Sequence, residues 1–213
     1  MNTRISLSAI VALAAGTAMA QDSDIVGGAT SVALDTVTLA SAAGLDLSSV
    51  SSDVGVGVIP GSVAFSINAR DAAVLPTTFS YTAGDFPTGP FSGTIEHTGS
   101  VFFNNDTVEV GNFTIGFDAA RASGLNSGFF VESTTGVAAI LFDAQVTGLN
   151  EASSSLLSLD VDLVVSPEFA SFLGNTALTG ADVGDAQING LVPTPGTAAA
   201  LLGLGAIAAR RRR

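Results

Sequence analysis

Apolar and polar residues alternate in the stretch Leu157-Ser-Leu-Asp-Val-Asp-Leu-Val-Val165. Every second residue from Leu157 to Val165 is aliphatic, whereas Ser158, Asp160 and Asp162 occupy positions between them. Successive side chains of a strand point to opposite faces, so this period of two predicts a strand with one buried and one wetted face. We expect this strand to lie in the middle of an antiparallel sheet.

The same period recurs through the central part of the chain, where Gly, Asn, Asp and Ser separate short apolar runs. Further strands are predicted over residues 31–40, 54–59, 63–69, 129–133, 137–147 and 185–191. Residues 91–97 and 101–103 also share a phase across a turn, which predicts a hairpin. The apolar positions change from even (Val110) to odd (Phe113) at Gly111-Asn112, which predicts a bulge or a tight turn there.

One short helix interrupts the strands. Ser166 is a typical helix cap, Pro167 suits the first helical position and Gly174 suits the end, so we predict a helix over residues 167–173. The predicted fold class is all-β, an antiparallel β-sandwich of short strands with this one helix. A β-solenoid is one alternative, although the chain has no fixed repeat period, and a closed cylindrical sheet is another.

Residues 1–20 have the organisation of a secretory signal peptide. Arg4 gives a short positive region, residues 5–15 form an apolar core, and Ala18-Met-Ala20 matches the pattern that signal peptidase cuts before Gln21. Ala18 and Ala20 are the two small residues of that pattern. A first core helix or strand is the alternative, and it lacks a cap or turn signal at its start. The protein is therefore predicted to be exported.

The other end of the chain combines a proline motif, an apolar run and a basic end. The motif is Val192, Pro193, Thr194, Pro195 and Gly196, and the basic end is Arg210, Arg211, Arg212 and Arg213. A helix over residues 196–209 would reach only about 21 Å, against roughly 30 Å of bilayer hydrocarbon. The arginines favour the cytoplasmic headgroups, so we expect transient insertion in the inner membrane. A hydrophobic helix packed on the domain and a eukaryotic lipid-anchor signal are the alternatives.

This arrangement resembles the bacterial PEP-CTERM sorting signal. The matching residues are Val192, Pro193, Pro195, the segment Leu201-Leu-Gly-Leu-Gly205 and the four arginines, whereas Thr194 stands where the family usually has Glu. The resemblance implies an exported protein that an exosortase-type transpeptidase cuts near Pro193 to Pro195. The product would be released from the cell or attached at its surface. The implied partners are signal peptidase, the exosortase-type enzyme and exopolysaccharide outside the cell.

These signals divide the chain into a signal peptide (1–20), one β-sandwich domain (21–192) and a sorting tail (193–213), with a signal helix and a sorting helix flanking the domain. All 19 acidic residues lie in the domain, whose only arginines are Arg70 and Arg121, and the chain has no lysine. This negative field repels phosphate backbones, which excludes nucleic acid as a partner. The chain has no cysteine, so its stability rests on hydrophobic burial without disulfides.

Candidate catalytic residues are sparse. His97 is the only histidine and the chain has no Gly-x-Ser-x-Gly motif, so the sequence does not indicate a serine-type hydrolase. Carboxylate pairs such as Asp160 with Asp162 are present, but a chain with one tyrosine and no tryptophan is poorly equipped to hold sugar rings. We therefore predict a non-catalytic protein with no catalytic residue.

Two acidic segments contain the ligand types that calcium prefers, namely Asn104-Asn-Asp106 and residues 182–185. Neither fits a known calcium-loop pattern, and Asn and Asp more often bond their own backbone in turns. We predict no metal site and no cofactor.

Three fragments resemble envelope β-domains that occur upstream of PEP-CTERM tails: Gly93-Thr-Ile-Glu-His-Thr-Gly99, Val110-Gly-Asn-Phe-Thr-Ile115 and Gly180-Ala-Asp-Val-Gly-Asp185. The first also resembles the HtaA-type haem-binding domain of surface proteins. That resemblance implies that an imidazole or a phenolate, here His97 or Tyr81, ligates haem iron. The residues alone favour structural roles, because His97 continues an apolar face and Tyr81 is typical of a sheet edge.

The sequence thus favours an exported bacterial cell-surface or extracellular-matrix protein that is non-catalytic and sorted through its tail. A secreted ligand-binding module, with haem as its ligand, and an acid-rich glycan-active enzyme are the alternatives.

Overall fold

The computed structural model describes residues 22–193, which form fourteen strands and a few short helical segments. The predicted signal peptide, with Ala18 and Ala20, and the tail from Thr194 onward lie outside the described residues. The strands are β1 (Asp22–Asp24), β2 (Gly27–Leu34), β3 (Leu47–Val50), β4 (Gly55–Val56), β5 (Val63–Ser66), β6 (Ser80–Thr82), β7 (Phe91–Ser92), β8 (Ile95–Glu96), β9 (Ser100–Phe103), β10 (Val108–Phe117), β11 (Phe129–Gly136), β12 (Ala139–Ala152), β13 (Leu156–Val165) and β14 (Asp182–Leu191). The helices are α1 (Thr36–Thr38), continued by a π-helical turn over Leu39–Ala43, and α2 (Pro167–Phe172), with 3₁₀ turns at Ala119–Arg121 and Thr176–Leu178.

The strands form two antiparallel sheets. Eleven strands make a large sheet in the order β3-β9-β10-β11-β12-β13-β14-β2-β5-β4, with β8 also paired to β10, and β1, β6 and β7 make a small sheet. An antiparallel bridge between Ile67 and His97 joins the end of β5 to the end of β8, so the large sheet curls until its two sides meet. Its two halves face each other as the layers of the predicted sandwich. The all-β antiparallel fold class is confirmed.

The central position of β13 is confirmed. It lies between β12 and β14, and its five inward aliphatic side chains, from Leu157 to Val165, are each at most 5% exposed. Phe65 of β5 meets Phe113 of β10 edge to face, with ring centroids 5.0 Å apart. Side chains from both halves of the curled sheet belong to one continuous core.

Each end of the curled sheet is covered by a different structure. At the end where β12 turns into β13, the small sheet contributes to a group of touching rings that we call the aromatic cluster. Its members are Phe79, Tyr81, Phe86, Phe91, Phe117 and Phe129. At the opposite end, α1 follows β2 and α2 follows β13, and Leu39 and Phe169 of these segments are buried in the core.

The short helix and the phase change are also confirmed. The hydroxyl oxygen of Ser166 accepts a hydrogen bond from the Phe169 N–H (3.0 Å), and Gly174 ends the helical segment with a φ of 70°. Asn112 has a φ of 48°, and its N–H donates to the carbonyl of Gly99 (2.9 Å) where β10 changes its partner from β9 to β8. The pairing advances by three residues on β10, from Gly111 to Thr114, and by four on the facing segment, from Ser100 to Glu96. The facing segment therefore contains the extra residue of the bulge.

The predicted hairpin over residues 91–103 is wrong. β8 and β9 do not pair with each other, because both pair with β10 in succession and run in the same direction. Gly99, with a φ of 120°, allows the chain to kink past the bulge without reversing.

The strand predicted over residues 31–40 is wrong beyond Leu34. The Asp35 carboxylate accepts hydrogen bonds from the N–H groups of Val37 (3.1 Å) and Thr38 (2.9 Å), which starts α1 at this point. The other predicted strands correspond to β4, β5, β11, β12 and β14 with shifted ends. Within residues 22–193, no helix combines the length and the apolar character required to cross a bilayer.

We predict that Leu159→Ala lowers the free energy of unfolding by about 3 kcal/mol, because it removes a buried side chain from the central strand. Thr147→Ala, at an exposed position of neighbouring β12, should change it by less than about 0.5 kcal/mol. Denaturant titration of the full-length chain measures both values. Equal effects of the two substitutions would contradict the assigned core face.

Candidate functional site

Two residues of the predicted sorting motif lie within the described part of the chain. Val192 is 8% exposed, and its N–H donates a hydrogen bond to the carbonyl of Ser155 in the turn before β13 (3.0 Å). Pro193, the next residue, is exposed. Thr194, Pro195, Gly196 and the arginines 210–213 lie outside the described residues. The sheet therefore holds the chain up to Val192.

The two ends of the described chain leave the sheet side by side. Gly27 at the start of β2 pairs with Leu191 at the end of β14, and the Val26 N–H donates to the carbonyl of Leu191 (2.9 Å). The first pairing of the chain is Asp22 with Thr82 in the small sheet. Segments that precede β1 and follow β14 therefore start near the same end of the curled sheet.

His97, one of the two predicted haem-ligand candidates, lies in the core and is 2% exposed. Its Nδ1 lies 3.1 Å from the carbonyl oxygen of Phe113, so Nδ1 carries the hydrogen and donates it. Its Nε2 then accepts a hydrogen bond from the Thr30 hydroxyl at 2.8 Å. Burial lowers the pKa of His97 to about 4, against the smaller opposing effect of the Phe113 carbonyl. The imidazole is therefore neutral, with both nitrogens engaged.

Tyr81, the other candidate, is 1% exposed and belongs to the aromatic cluster. Its hydroxyl faces the carbonyls of Ser153 (2.6 Å) and Leu156 (3.2 Å), which it meets as a donor. Burial, with a smaller contribution from the Glu151 carboxylate, raises the pKa of Tyr81 to about 12. A phenolate is thus disfavoured, and neither Tyr81 nor His97 presents a free ligand atom.

The carboxylates suggested as a glycosidase pair have separate surroundings. Asp160 accepts hydrogen bonds from the side-chain amides of Asn150 and Gln187, each at 2.8 Å. Asp162 instead pairs across the sheet with Asp185. Desolvation, followed by the charges of Asp182 and Asp185, raises the pKa of Asp162. Within the described part of the chain, no group of three or more His, Asp or Glu side chains is placed to hold a metal ion.

The Asn104-Asn-Asp106 segment forms the turn between β9 and β10. All three residues have positive φ values of 53° to 62°, a conformation that Asn and Asp tolerate better than most residues. The Asn104 side chain accepts from the Asp46 N–H (2.9 Å) and donates to the Gly44 carbonyl (2.9 Å). Its polar side chain is thus used to fix the loop that precedes β3.

An ion-pair group around Arg121 was not predicted. Arg121 donates through Nε to Asp143 (2.6 Å) and through both Nη atoms to Glu168 (2.7 and 3.0 Å), and its guanidinium lies 5.8 Å from the ring centre of Phe130. The hydrogen bond from Arg121 is the main reason that the pKa of Glu168 falls to about 2. The sequence contains one signal for this group, because a domain with 19 acidic residues and two arginines is expected to pair each arginine with carboxylates. The group attaches the start of α2 to β12.

The core also contains a cavity of about 80 Å³ between the two halves of the curled sheet. Aliphatic and aromatic side chains line it, and Thr30 and His97 are the two polar residues among them. At roughly 24 cal/mol per Å³, an empty cavity of this size costs about 2 kcal/mol. No pattern in the sequence predicts this cavity, because it depends on how side chains from distant strands meet.

The described residues thus define a closed antiparallel β-domain with structural roles for its histidine and its tyrosine. No family model matches the chain, and no curated protein matches it. A similar solved structure is the C-terminal domain of HtaA from Corynebacterium glutamicum, with 15% identity and a TM-score of 0.51 over 80% of this chain and 99% of that one. This similarity concerns the fold alone.

We predict that lowering the pH from 6.5 to 4 costs the fold about 3 kcal/mol through His97, because the unfolded imidazole binds a proton near pH 6.5 and the folded one only near pH 4. The contribution is complete above pH 6.5 and is lost as the pH falls. The measurement is the free energy of unfolding of the full-length chain at several pH values.

His97→Gln provides the comparison, since all carboxylates titrate in both proteins and only the imidazole differs. The gap in unfolding free energy between the two proteins should narrow as the pH falls. A gap that stays constant from pH 6.5 to 4 would contradict a neutral buried imidazole.

Proposed function

We propose that this chain is the precursor of an exported, non-catalytic bacterial protein of the cell surface or extracellular matrix. Signal peptidase would remove residues 1–20, and an exosortase-type enzyme would cut the tail near Pro193 to Pro195. The precursor would be held transiently in the inner membrane.

The position of the last sheet contact carries this proposal. The hydrogen bonds of the sheet extend from Asp22, which pairs with Thr82, to Val192, which bonds to Ser155. Both proposed cuts lie outside this interval. Processing would therefore leave every described hydrogen bond of the domain in place.

The adjacent exits of the chain support the same route. Gly27 and Leu191 pair at the same end of the sheet, so a signal segment and a tail segment can reach one membrane together without crossing the domain. The domain would then face the membrane with a single end during export.

The state of His97 supports the non-catalytic part of the proposal. A serine-type nucleophile needs an accessible imidazole base, whereas His97 is 2% exposed and has both nitrogens in hydrogen bonds.

We expect intact-mass analysis of the protein from an exosortase-producing bacterium to show a chain that starts at Gln21 and lacks the arginines 210–213. Substituting Ala for both Pro193 and Pro195 should abolish the C-terminal cut, because the prolines keep this segment extended for a protease groove. Thr194→Glu, which restores the residue usual in the family, is the matched control and should be cut at least as well as the wild type.

Deleting the exosortase should leave in the membrane a chain that starts at Gln21 and retains the arginines 210–213. A cytosolic, soluble chain that retains its arginines would contradict the proposal. Recovery in the medium or on the cell surface distinguishes release from attachment.

The fold similarity favours a secreted ligand-binding module as a second candidate, with haem as the ligand implied by residues 93–99. Iron ligation by His97 would require the loss of its bond to Thr30, and ligation by Tyr81 would require the loss of its bond to Ser153. The closed state of the domain therefore opposes direct ligation by either residue.

We predict that haem added to the full-length chain gives the same Soret band with the wild type, Tyr81→Phe and His97→Gln. Tyr81→Phe keeps the ring in the aromatic cluster and removes only the hydroxyl. A Soret shift that is present in the wild type and lost in either variant would establish that residue as an iron ligand and favour this second candidate.

A further inference from the structure

The cavity inside the curled sheet has an apolar wall contributed by strands that are distant in sequence. Phe65, Phe113, Leu141, Leu159 and Ile188 all line it, and all are buried. These residues come from β5, β10, β12, β13 and β14, so the cavity lies where the two halves of the sheet meet.

The two polar residues in the cavity wall have no free hydrogen-bonding group for a polar ligand. The Thr30 hydroxyl donates to Nε2 of His97, and Nδ1 of His97 donates to the carbonyl of Phe113. Their polar atoms thus satisfy one another. A buried water needs two to four polar partners, so water is a poor occupant of this space.

We propose that this cavity is a binding site for one small, uncharged, apolar molecule, of the size of a xenon atom or a short hydrocarbon. An apolar cavity of roughly 150 Å³ in another protein stays dry and takes up benzene or xenon. The cavity here, of about 80 Å³, suits the smaller members of that class and is far too small for a porphyrin ring.

The geometry also indicates where such a guest enters. Most of the wall consists of strands joined by ladder hydrogen bonds, whereas Leu39 of the π-helical turn and Phe169 of the short helix α2 line the cavity from helical segments. Phe169 packs against Phe142 with ring centroids 6.0 Å apart. The paired hydrogen bonds between Arg121 and Glu168 hold the first turn of α2 in place. Displacement of α2 would therefore open the cavity without breaking a strand pairing.

Xenon is the probe for the site. The full-length chain is titrated with dissolved xenon while the methyl signals of Leu159 and Ile188 are followed by NMR. Both signals should shift along a saturable curve, whereas the exposed methyls of Val56 should show only a linear drift.

Filling the cavity provides the decisive comparison. Val161 and Ala186 line the cavity and pair with each other across β13 and β14. The double variant Val161→Ile with Ala186→Val should weaken xenon binding by roughly ten-fold or more, because its added carbon atoms occupy most of the space. Val164→Ile is the matched control: Val164 is also buried in β13 but lies outside the cavity wall, so xenon binding should persist.

The single variant Val161→Ile, with a smaller loss of affinity, serves the same purpose if the double variant does not fold. Absence of a saturable shift in the wild type would overturn the proposal. Equal xenon binding by Val161→Ile and Val164→Ile would overturn it as well.

The entry route has its own test. Glu168→Gln removes the charge that Arg121 holds and should accelerate xenon exchange several-fold, as measured by ¹²⁹Xe saturation transfer. Glu151→Gln makes the same change at an exposed carboxylate bonded to Ser153 and should leave the exchange rate unchanged. Equal exchange rates in the two variants would overturn entry at α2.

Discussion

His97 joins three strands of the large sheet, and the enclosed core depends on this junction. Its backbone bridges to Ile67 after β5, and its ring bonds to Thr30 of β2 and to the carbonyl of Phe113 in β10. Loss of the ring would leave the buried Thr30 hydroxyl without its acceptor, which is costly in an apolar interior. The closure also brings Phe65 against Phe113 and encloses the cavity. The hydrogen bonds that close the sheet thus use both ring nitrogens of His97.

The domain accommodates its carboxylates mainly through hydrogen bonds from neutral groups. Asp160 bonds to two side-chain amides, and Asp35 caps α1, where bonds from Thr38 lower the pKa of Asp35. The two arginines of the domain are the exceptions, because Arg121 bonds to Asp143 and Glu168 together and Arg70 lies 3.5 Å from Asp24. Like charges remain close elsewhere, as the raised pKa of Asp162 beside Asp182 and Asp185 shows. Such a body is repelled by anionic lipid, whereas the arginines at the end of the chain are attracted to it. This distribution of charge favours a tail that contacts the membrane and a domain that stays away from the lipid surface.

Local signals predicted what local interactions determine. The alternation around Leu159, the cap at Ser166 and the phase change at Asn112 were all predicted correctly, since each depends on neighbouring residues. The predicted strand over residues 31–40 was wrong from Asp35, because the helix cap formed by its side chain outweighed the apolar pattern. The predicted hairpin was wrong at Gly99, because the alternation of apolar residues does not reveal the φ of a glycine. The aromatic cluster, the Arg121 group and the cavity were not predicted, because they arise from contacts between segments that are far apart in the chain.

The edges of the sheets affect how such a domain would stay monomeric and folded outside a cell without disulfides. The edge strands of the large sheet are β3, with four residues, and β4, with two, and those of the small sheet are equally short. Short edges leave little unpaired backbone to recruit another strand, and the negative charge opposes close approach of a second copy. Stability then rests on the core that the His97 junction encloses. Because that core ends at Val192, the proposed cut of the tail would leave the packing that stabilises the domain unchanged.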